Sequence, residues 1–248
     1  MVGRVARPPA VASGAGPQGA ARYHAAMNTP AADPPFAAGP LLLPGPAGSL
    51  ELACALPAAA AARRGMAIIA HPHPLHGGTM HNKVVTVTER ALLDLGLATV
   101  RFNFRGVGHS EGTHDNGVGE TDDLVAIAHW LRRARPDDVL WLAGFSFGSY
   151  VTLRAAPLLA PAQVVLIAPP VGRWEFAPLA APACPWLVVQ GEEDEVVDAQ
   201  AVIAWARALQ PPVQLITMPE TGHYFHRRLI DLRGALRNAL AGHLPPAA

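Results

Sequence analysis

The sequence predicts an α/β fold in which a mostly parallel β-sheet is covered by helices on both faces. Short apolar runs alternate with longer stretches of helical spacing from about residue 41 onward. Such an alternation is typical of strands that are joined by crossover helices in one parallel sheet. In addition, the run Met-Ala-Ile-Ile-Ala at residues 66–70 contains no polar residue, as expected for a strand that is buried on both faces.

The predicted elements of the first half of the chain begin at residue 50. Strands are predicted at residues 50–56, 66–70 and 97–102, and helices at residues 82–95 and 119–134. Asn82 is suited to cap the first helix because its side chain can accept a backbone hydrogen bond, and Gly96 follows the helix as a stop. Thr121 is a candidate cap for the second helix.

The second half continues the alternation without an internal repeat. Strands are predicted at residues 139–143, 163–168, 186–190 and 213–218, and helices at residues 147–159, 198–209 and 224–241. No linker divides this region, so we expect one domain over residues 41–248. Residues 1–40 are rich in Ala, Pro and Gly and have no acidic residue before Asp33. We expect them to be a disordered extension, in which Met27 is a candidate for the true start.

The composition argues against several classes of function. Acidic and basic residues balance at 19 each, which gives no electrostatic reason to expect a nucleic-acid or membrane-surface partner. No apolar run reaches the ~18 residues that a transmembrane helix needs. The two cysteines, Cys54 and Cys184, form no CxxC pair. We therefore expect buried free thiols, a reducing compartment such as the cytoplasm, and no thiolate metal site.

A glycine-flanked serine carries the strongest chemical signal, in the pentapeptide Gly144-Phe145-Ser146-Phe147-Gly148. The pattern is weak alone, but a predicted strand precedes it and a predicted helix follows it, which is the setting of a nucleophile elbow. Gly144 and Gly148 would let the strand and the helix approach closely, and the amino end of the helix would favour negative charge near Ser146. Ser146 is therefore the candidate nucleophile.

A serine nucleophile needs a base to take its proton and an acid to orient that base. After such an elbow, the acid and then the histidine follow along the chain. Five carboxylates lie in or just after the loop that follows predicted strand 186–190. We choose Asp194, because it lies in the turn just before the apolar pair Val196-Val197. We expect Glu193 and Glu195 to face solvent, and Asp198 to cap the next helix.

The candidate base lies in the loop after the last predicted strand. His223 follows Gly222 and precedes a predicted helix, so it lies at the same end of the sheet as the serine and the acid. His226 is the alternative. If His226 is not the base, we expect it to be a surface histidine or one that contacts the residues of the site.

Two further segments complete a resemblance to a known superfamily. They are residues 71–85, HPHPLHGGTMHNKVV, and residues 101–112, RFNFRGVGHSEG. Together with the serine, acid and histidine candidates, they resemble the α/β-hydrolase superfamily, and more narrowly its small, lidless bacterial branch of predicted esterases. The resemblance covers nearly everything from about residue 41 to residue 244, and it implies an α/β-hydrolase fold without a cap domain. The sequence departs from the pattern at His81, where an acidic residue is expected.

The resemblance also implies an oxyanion hole made of two backbone amides. One is the N–H of Phe147, the residue after the nucleophile. The other comes from the loop at residues 71–78, in which Pro72 and Pro74 have no N–H to donate. The donor there is His73, which we prefer, or Leu75.

Two other interpretations of these segments are weaker. The histidines at positions 71, 73, 76 and 81 could form a metal site, but no HExxH pattern is present and the prolines favour an extended loop. We expect no metal and no cofactor. The glycines of residues 105–112 have a GxGxxxG spacing rather than the dinucleotide spacing GxGxxG. We expect them to permit tight turns beside the site, with Arg105 holding the loop by hydrogen bonds.

The connection at residues 169–185 has room for a loop or one short helix but not for a cap domain. We therefore expect an open cleft, in which Trp174, Phe176 and Leu179 either form part of an acyl pocket or pack over the core. The predicted activity is hydrolysis of carboxylic esters or thioesters through an acyl-enzyme. The expected partner is a small-molecule acyl ester, and the expected state is a monomer or homodimer. Two alternatives stay open: another triad hydrolase (a peptidase, polyester depolymerase or C–C hydrolase) and a non-catalytic binding protein.

Overall fold

The computed structural model describes residues 33–248, which contain an eight-stranded sheet in the order β1-β2-β4-β3-β5-β6-β7-β8. The prediction of a disordered extension falls mostly on residues 1–32 and, together with Met27, lies outside the described residues. The strands are β1 Gly39–Gly45, β2 Gly48–Ala55, β3 Gly65–Ala70, β4 Ala98–Phe102, β5 Val139–Phe145, β6 Gln163–Ile167, β7 Trp186–Gly191 and β8 Gln214–Met218. The helices are α1 Lys83–Asp94, α2 Val118–Ala134, α3 Phe147–Leu159, α4 Ala199–Ala208 and α5 Leu229–Leu240.

Strands β3 to β8 are parallel to one another. Strand β2 pairs with β4 and β1 pairs with β2, both in the antiparallel direction, at one edge of the sheet. All residues of β3, β6 and β7 are buried, because helices cover both faces of the sheet. Helices α1 and α5 pack together on one face, and α2 and α3 pack together on the other. The predicted α/β-hydrolase fold, with a mostly parallel sheet and no cap domain, is confirmed.

Regular structure is present before residue 41, where the sequence pattern placed the start of the domain. Strand β1 starts at Gly39, and its glycines and prolines hide it from the sequence pattern. Proline is tolerated there because β1 is an edge strand, which needs hydrogen bonds on one side only. Before the strand, the Pro34 carbonyl accepts a hydrogen bond from Trp130 Nε1 at 2.8 Å, and the Phe36 ring lies 5.9 Å from the Trp130 ring.

The cap of α2 and the start of α5 differ from the prediction, while two other predicted caps are confirmed. Helix α2 is capped by Glu120, which accepts hydrogen bonds from the amides of residues 115 and 117, whereas the Thr121 hydroxyl donates to a carbonyl. Helix α5 begins five residues later than predicted, because Phe225 has a left-handed φ of 53°. Asn82 and Asp198 cap α1 and α4 as predicted.

The connection between β6 and β7 is a loop within the described chain, with an isolated bridge between Val171 and Trp174. Both cysteines are free thiols: Cys54 is buried, and Cys184 is half-buried. Burial raises the pKa of Cys54 to about 11. Among residues 33–248, no helix is long and apolar enough to cross a bilayer.

Candidate active site

Ser146 lies in a sharp turn between β5 and α3. Its φ of 53° and ψ of −121° are an uncommon conformation for a residue with a side chain. Such strain costs on the order of 1–3 kcal/mol and persists only where the surroundings hold it. The Ser146 amide donates a hydrogen bond to the carbonyl of Ile167 on the neighbouring strand at 2.8 Å.

The two glycines of the pentapeptide are required by close backbone contacts. A Cβ on Gly144 would lie 2.3 Å from the Gly148 carbonyl oxygen, and a Cβ on Gly148 would lie 2.4 Å from the Ala70 carbonyl oxygen. Neither position therefore has space for a side chain. The predicted strand–turn–helix setting of Ser146 is confirmed.

Ser149 supports this turn, although the sequence analysis did not identify it. Its buried hydroxyl donates to the Gly144 carbonyl at 2.7 Å and accepts from the Ile167 amide at 3.2 Å. The hydroxyl thus joins the end of β5 to β6 beneath the turn. Its one sequence signal is its spacing of three residues after Ser146, which brings it one helical turn further on.

Ser146, His223 and Asp194 form a continuous hydrogen-bonded series. His223 Nε2 lies 3.0 Å from Ser146 Oγ, and His223 Nδ1 lies 2.8 Å from Asp194 Oδ2. The side chains of His223 and Asp194 are 2% and 0% exposed, so water does not compete for the contact between them. The structure thus brings together the three residues that the sequence analysis selected.

Asp194 is held as an anion by several donors. Burial raises its pKa, but the hydrogen bonds from His223, from the Val197 and Val196 amides and the positive charge of the imidazolium outweigh burial, so the net shift is downward. Gln190 adds a further hydrogen bond, from its Nε2 to Asp194 Oδ2 at 3.0 Å. Gln190 is fully buried at the end of β7. The sequence analysis missed it, because a glutamine in a strand gives no signal of its own.

Glu195 faces solvent less completely than predicted. The residue is exposed, but its Oε2 accepts a hydrogen bond from the His223 backbone N–H at 3.0 Å. His226, the alternative base, instead lies beside Tyr224, with 5.9 Å between the ring centroids.

The residues proposed for the oxyanion hole lie next to each other. The rings of His73 and Phe147 are 4.9 Å apart, and Phe147 is the first residue of α3. The Leu75 amide donates to His73 Nδ1 at 3.2 Å, so this N–H is already engaged. Within residues 33–248, the backbone amides of His73 and Phe147 donate to no protein acceptor.

His71 anchors the loop that carries His73. The ring is 0% exposed; Nδ1 lies 2.6 Å from the Pro72 carbonyl oxygen, and Nε2 accepts from the Phe104 amide at 3.0 Å. This pair of contacts defines a neutral imidazole, with its proton on Nδ1. Burial lowers the pKa of His71 to about 3. Burial and the neighbouring imidazoles of His76 and His114 lower the pKa of His73 to about 4.

The histidine-rich loop does not assemble a metal site in the described chain. Across residues 33–248, no group of three or more His, Cys, Asp or Glu side chains is placed to hold a metal ion. His73 instead stacks on His76, with 4.5 Å between the ring centroids.

Arg105 holds the neighbouring glycine-rich loop as predicted. Its Nε and Nη2 donate to the two oxygens of the buried Asp123, at 2.9 and 2.7 Å. Gly106, Gly108 and Gly112 have φ values of 76°, 57° and 87°. Glycine favours this left-handed region, so the predicted role in tight turns is confirmed.

The three apolar residues of the β6–β7 loop divide into two groups. The Trp174 ring lies 4.9 Å from that of Phe147. Phe176 and Leu179 line an apolar cavity of about 230 Å³ with Trp186 and Trp205. Trp186 is the first residue of β7, whereas Ser146 follows the last residue of β5. The cavity therefore lies near the amino ends of the parallel strands, and Ser146 lies at their carboxyl ends. Of the three, Trp174 is the residue near the site.

The fold and the site together define a class: an α/β hydrolase with a serine at a nucleophile elbow. A sequence model of the family described as alpha/beta hydrolase fold matches residues 75–181. The chain is 52% identical to XC6422 from Xanthomonas campestris, described as an a/b serine hydrolase without lid. That match covers 87% of this chain and 100% of that one, with a TM-score of 0.84.

A second solved structure supports the same assignment, and a curated protein without an assigned function is also similar to the chain. An alpha-beta serine hydrolase homologue from Coxiella burnetii is 48% identical, over 82% of this chain and 97% of that one, with a TM-score of 0.79. The curated protein RP471 from Rickettsia prowazekii (strain Madrid E), described as uncharacterized, is 39% identical over 142 residues, or 55% of this chain. The chain spans 60% of that protein's length. The chain therefore belongs to the α/β-hydrolase fold family, as a serine hydrolase of the small, lidless branch.

Proposed function

We propose that the protein hydrolyses carboxylic esters or thioesters through a Ser146–His223–Asp194 triad and an acyl-enzyme intermediate. The observation that carries this proposal is the hydrogen-bonded series from Ser146 Oγ to His223 Nε2, and from His223 Nδ1 to Asp194. A serine hydroxyl becomes a nucleophile when a correctly oriented imidazole takes its proton.

In the first half of the reaction, His223 Nε2 takes the Ser146 proton while Oγ attacks the carbonyl carbon. Asp194 holds Nδ1–H and stabilises the imidazolium that forms. The lowered pKa of Asp194 keeps this carboxylate ionised across the neutral range. His223 then returns the proton to the leaving alcohol or thiol, and the acyl group stays on Ser146.

The negative charge on the tetrahedral intermediate would be held by the amides of Phe147 and His73. Both N–H groups are without a protein acceptor among residues 33–248, and the Phe147 amide lies at the positive end of the α3 dipole. Removing one such donor typically costs about 10²–10³-fold in kcat. The same groups act again when His223 activates water and the acid is released.

The proposed substrate is a small uncharged acyl ester that reaches Ser146 without passing a cap domain. The His73 side chain near the proposed oxyanion hole is neutral at physiological pH, because its pKa is lowered to about 4. Trp174, which contacts Phe147, is half-buried and contributes an apolar surface. We expect no cofactor, and we expect the protein to act as a monomer or a homodimer.

The first experiment compares Ser146→Ala with the unaltered protein on p-nitrophenyl acetate and butyrate. We expect kcat to fall by at least about 10³-fold, because the nucleophile is lost, with an unchanged circular dichroism spectrum. The kcat of His223→Ala should fall to a similar extent. The matched control is His226→Ala, which should retain activity because His226 packs on Tyr224. Full activity in Ser146→Ala would refute the proposal.

A fluorophosphonate probe separates the enzyme from a non-catalytic binding protein on the same scaffold. An activated serine reacts with the probe, so labelling should occur in the unaltered protein and disappear in Ser146→Ala. A panel of acyl chain lengths, with a peptide and a polyester as further substrates, then separates an esterase from other triad hydrolases.

A further inference from the structure

Two consecutive carboxylates hold His223 at two different points. Asp194 Oδ2 contacts the imidazole Nδ1 at 2.8 Å, and Glu195 Oε2 accepts from the backbone N–H of the same histidine at 3.0 Å. Asp194 therefore orients the ring about its side-chain bonds. Glu195 holds the segment of main chain from which the ring projects.

The acid-bearing loop and the histidine-bearing loop are joined by further hydrogen bonds. The Glu192 amide donates to the Met218 carbonyl at 2.9 Å, and the Glu193 amide donates to the Thr221 carbonyl at 3.0 Å. These two bonds end before His223. The bond from Glu195 continues the series up to the histidine itself.

Gly222 provides the space that the Glu195 carboxylate occupies. A Cβ on Gly222 would lie 2.5 Å from Glu195 Oε2. The glycine before His223 is therefore linked to the position of Glu195, and the φ of Gly222 does not lie in the left-handed range. A methyl group at position 222 would therefore meet the free end of the Glu195 side chain and displace the carboxylate.

The main chain at His223 lies outside any regular element. Helix α5 begins only at Leu229. Glu220, before His223, and Phe225, after it, have left-handed φ values of 51° and 53°. Helical hydrogen bonds therefore do not fix the His223 peptide. A rotation that moves Nε2 by about 1 Å from the serine would reduce the rate by about a hundred-fold, since proton transfer depends steeply on position.

We propose that Glu195 is a positioning residue that fixes the main chain of His223, and thereby the distance from Nε2 to Ser146 Oγ. The inference rests on the proposed triad. Glu195 acts through His223 and does not touch the substrate. The hydrogen-bond acceptor, rather than the negative charge, carries the effect, so glutamine can replace glutamate while alanine cannot.

The experiment compares Glu195→Ala, Glu195→Gln and the control Glu193→Ala on p-nitrophenyl butyrate. Glu193 is a neighbouring exposed carboxylate whose bond to the histidine loop comes from its backbone. We expect Glu195→Ala to lower kcat by about 10-fold or more, with KM within about twofold, because position and not binding is affected. Glu195→Gln should retain kcat within about threefold, and Glu193→Ala should be unchanged.

Gly222→Ala provides a second variant, because its methyl group would displace the Glu195 carboxylate. It should lower kcat to a similar extent, and combining it with Glu195→Ala should cause little further loss. Equal activity of Glu195→Ala and Glu193→Ala would overturn the inference. An equal loss in Glu195→Ala and Glu195→Gln would also overturn it, because charge would then matter instead of the acceptor.

The outcomes separate this inference from the proposed triad. If the unaltered protein hydrolyses the ester and reacts with the fluorophosphonate probe, but Glu195→Ala does both at the unaltered rate, the inference on Glu195 alone fails. If Ser146→Ala retains activity, or the unaltered protein fails to react with the probe, the proposed function fails first.

Discussion

Asp194 shows that even contacts between residues close together in the sequence are not visible in the sequence pattern. Its choice among five carboxylates was possible because it lies in the turn after a strand. The structure adds the bonds from Gln190 and from the two valine amides. The strand end points to the loop of the candidate acid, but the sequence alone does not show that the buried Gln190 amide reaches Asp194, nor that Glu195 bends back to the His223 main chain.

Gln190→Leu tests the buried amide beside the acid. The change removes the Nε2 donor from Asp194 Oδ2 and keeps a similar volume, so we expect a loss of about 1–3 kcal/mol in the free energy of unfolding. We also expect a decrease in kcat, because Asp194 loses a contact that orients it. Urea unfolding and ester hydrolysis measure the two effects. Gln200→Leu, on the exposed surface of α4, should change both by little.

At the scale of elements, the apolar strands and two polar helix caps were predictable, whereas the edge strand with prolines and the strained start of α5 were not. Strand β3 is fully buried, and its apolar run predicted it within one residue. Strand β1 was missed because Pro40 and Pro44 interrupt its pattern. The start of α5 was missed because left-handed residues before it depend on packing rather than on local propensity. Edges and loops carry weak patterns because solvent replaces the neighbours that would impose one.

Gly148→Ala tests the close approach of α3 to the neighbouring loop. Its Cβ would lie 2.4 Å from the Ala70 carbonyl oxygen, a backbone atom that cannot move without shifting β3. We expect a loss of about 2–4 kcal/mol in unfolding free energy, comparable to other severe overpacking, together with loss of activity. Thermal unfolding measures the first effect, and ester hydrolysis the second.

Gly234→Ala is the matched control for this substitution, because it introduces the same methyl group in α5, where nothing lies within 4 Å. Alanine there should stabilise the protein by about 0.5–1 kcal/mol through its higher helix propensity. Equal effects of the two substitutions would show that the contact of Gly148 with Ala70 is unimportant.

At the scale of the whole molecule, the parallel sheet brings the site together. His73 follows β3, Ser146 follows β5, Asp194 follows β7 and His223 follows β8, and the carboxyl ends of parallel strands lie at one edge. The order of strands and loops along the sequence was therefore sufficient to predict that these residues lie near one another. The sequence did not contain the register that sets a 3.0 Å contact between Ser146 and His223, because that distance depends on the packing of all the strands between them.

The stability of the whole fold should fall in mild acid because His71 is buried as a neutral ring. Its pKa is about 3 in the folded protein and about 6.5 in the unfolded chain. Below pH 6.5 the unfolded chain binds a proton that the folded protein excludes, so the unfolding free energy decreases as the pH falls toward 3. The slope for this one group approaches about 1.4 kcal/mol per pH unit.

His71→Gln isolates this contribution, because its side-chain oxygen can still accept from the Phe104 amide while the group no longer titrates. Between pH 7.5 and pH 5.5, His71 alone should cost the unaltered protein about 1.4 kcal/mol. Over the same pH interval, the decrease in the unfolding free energy of the variant should be smaller by about 1.4 kcal/mol, whatever its stability at pH 7.5. Urea unfolding at the two pH values gives both differences. Equal losses in the two proteins would mean that His71 takes up a proton in the folded state as readily as in the unfolded chain.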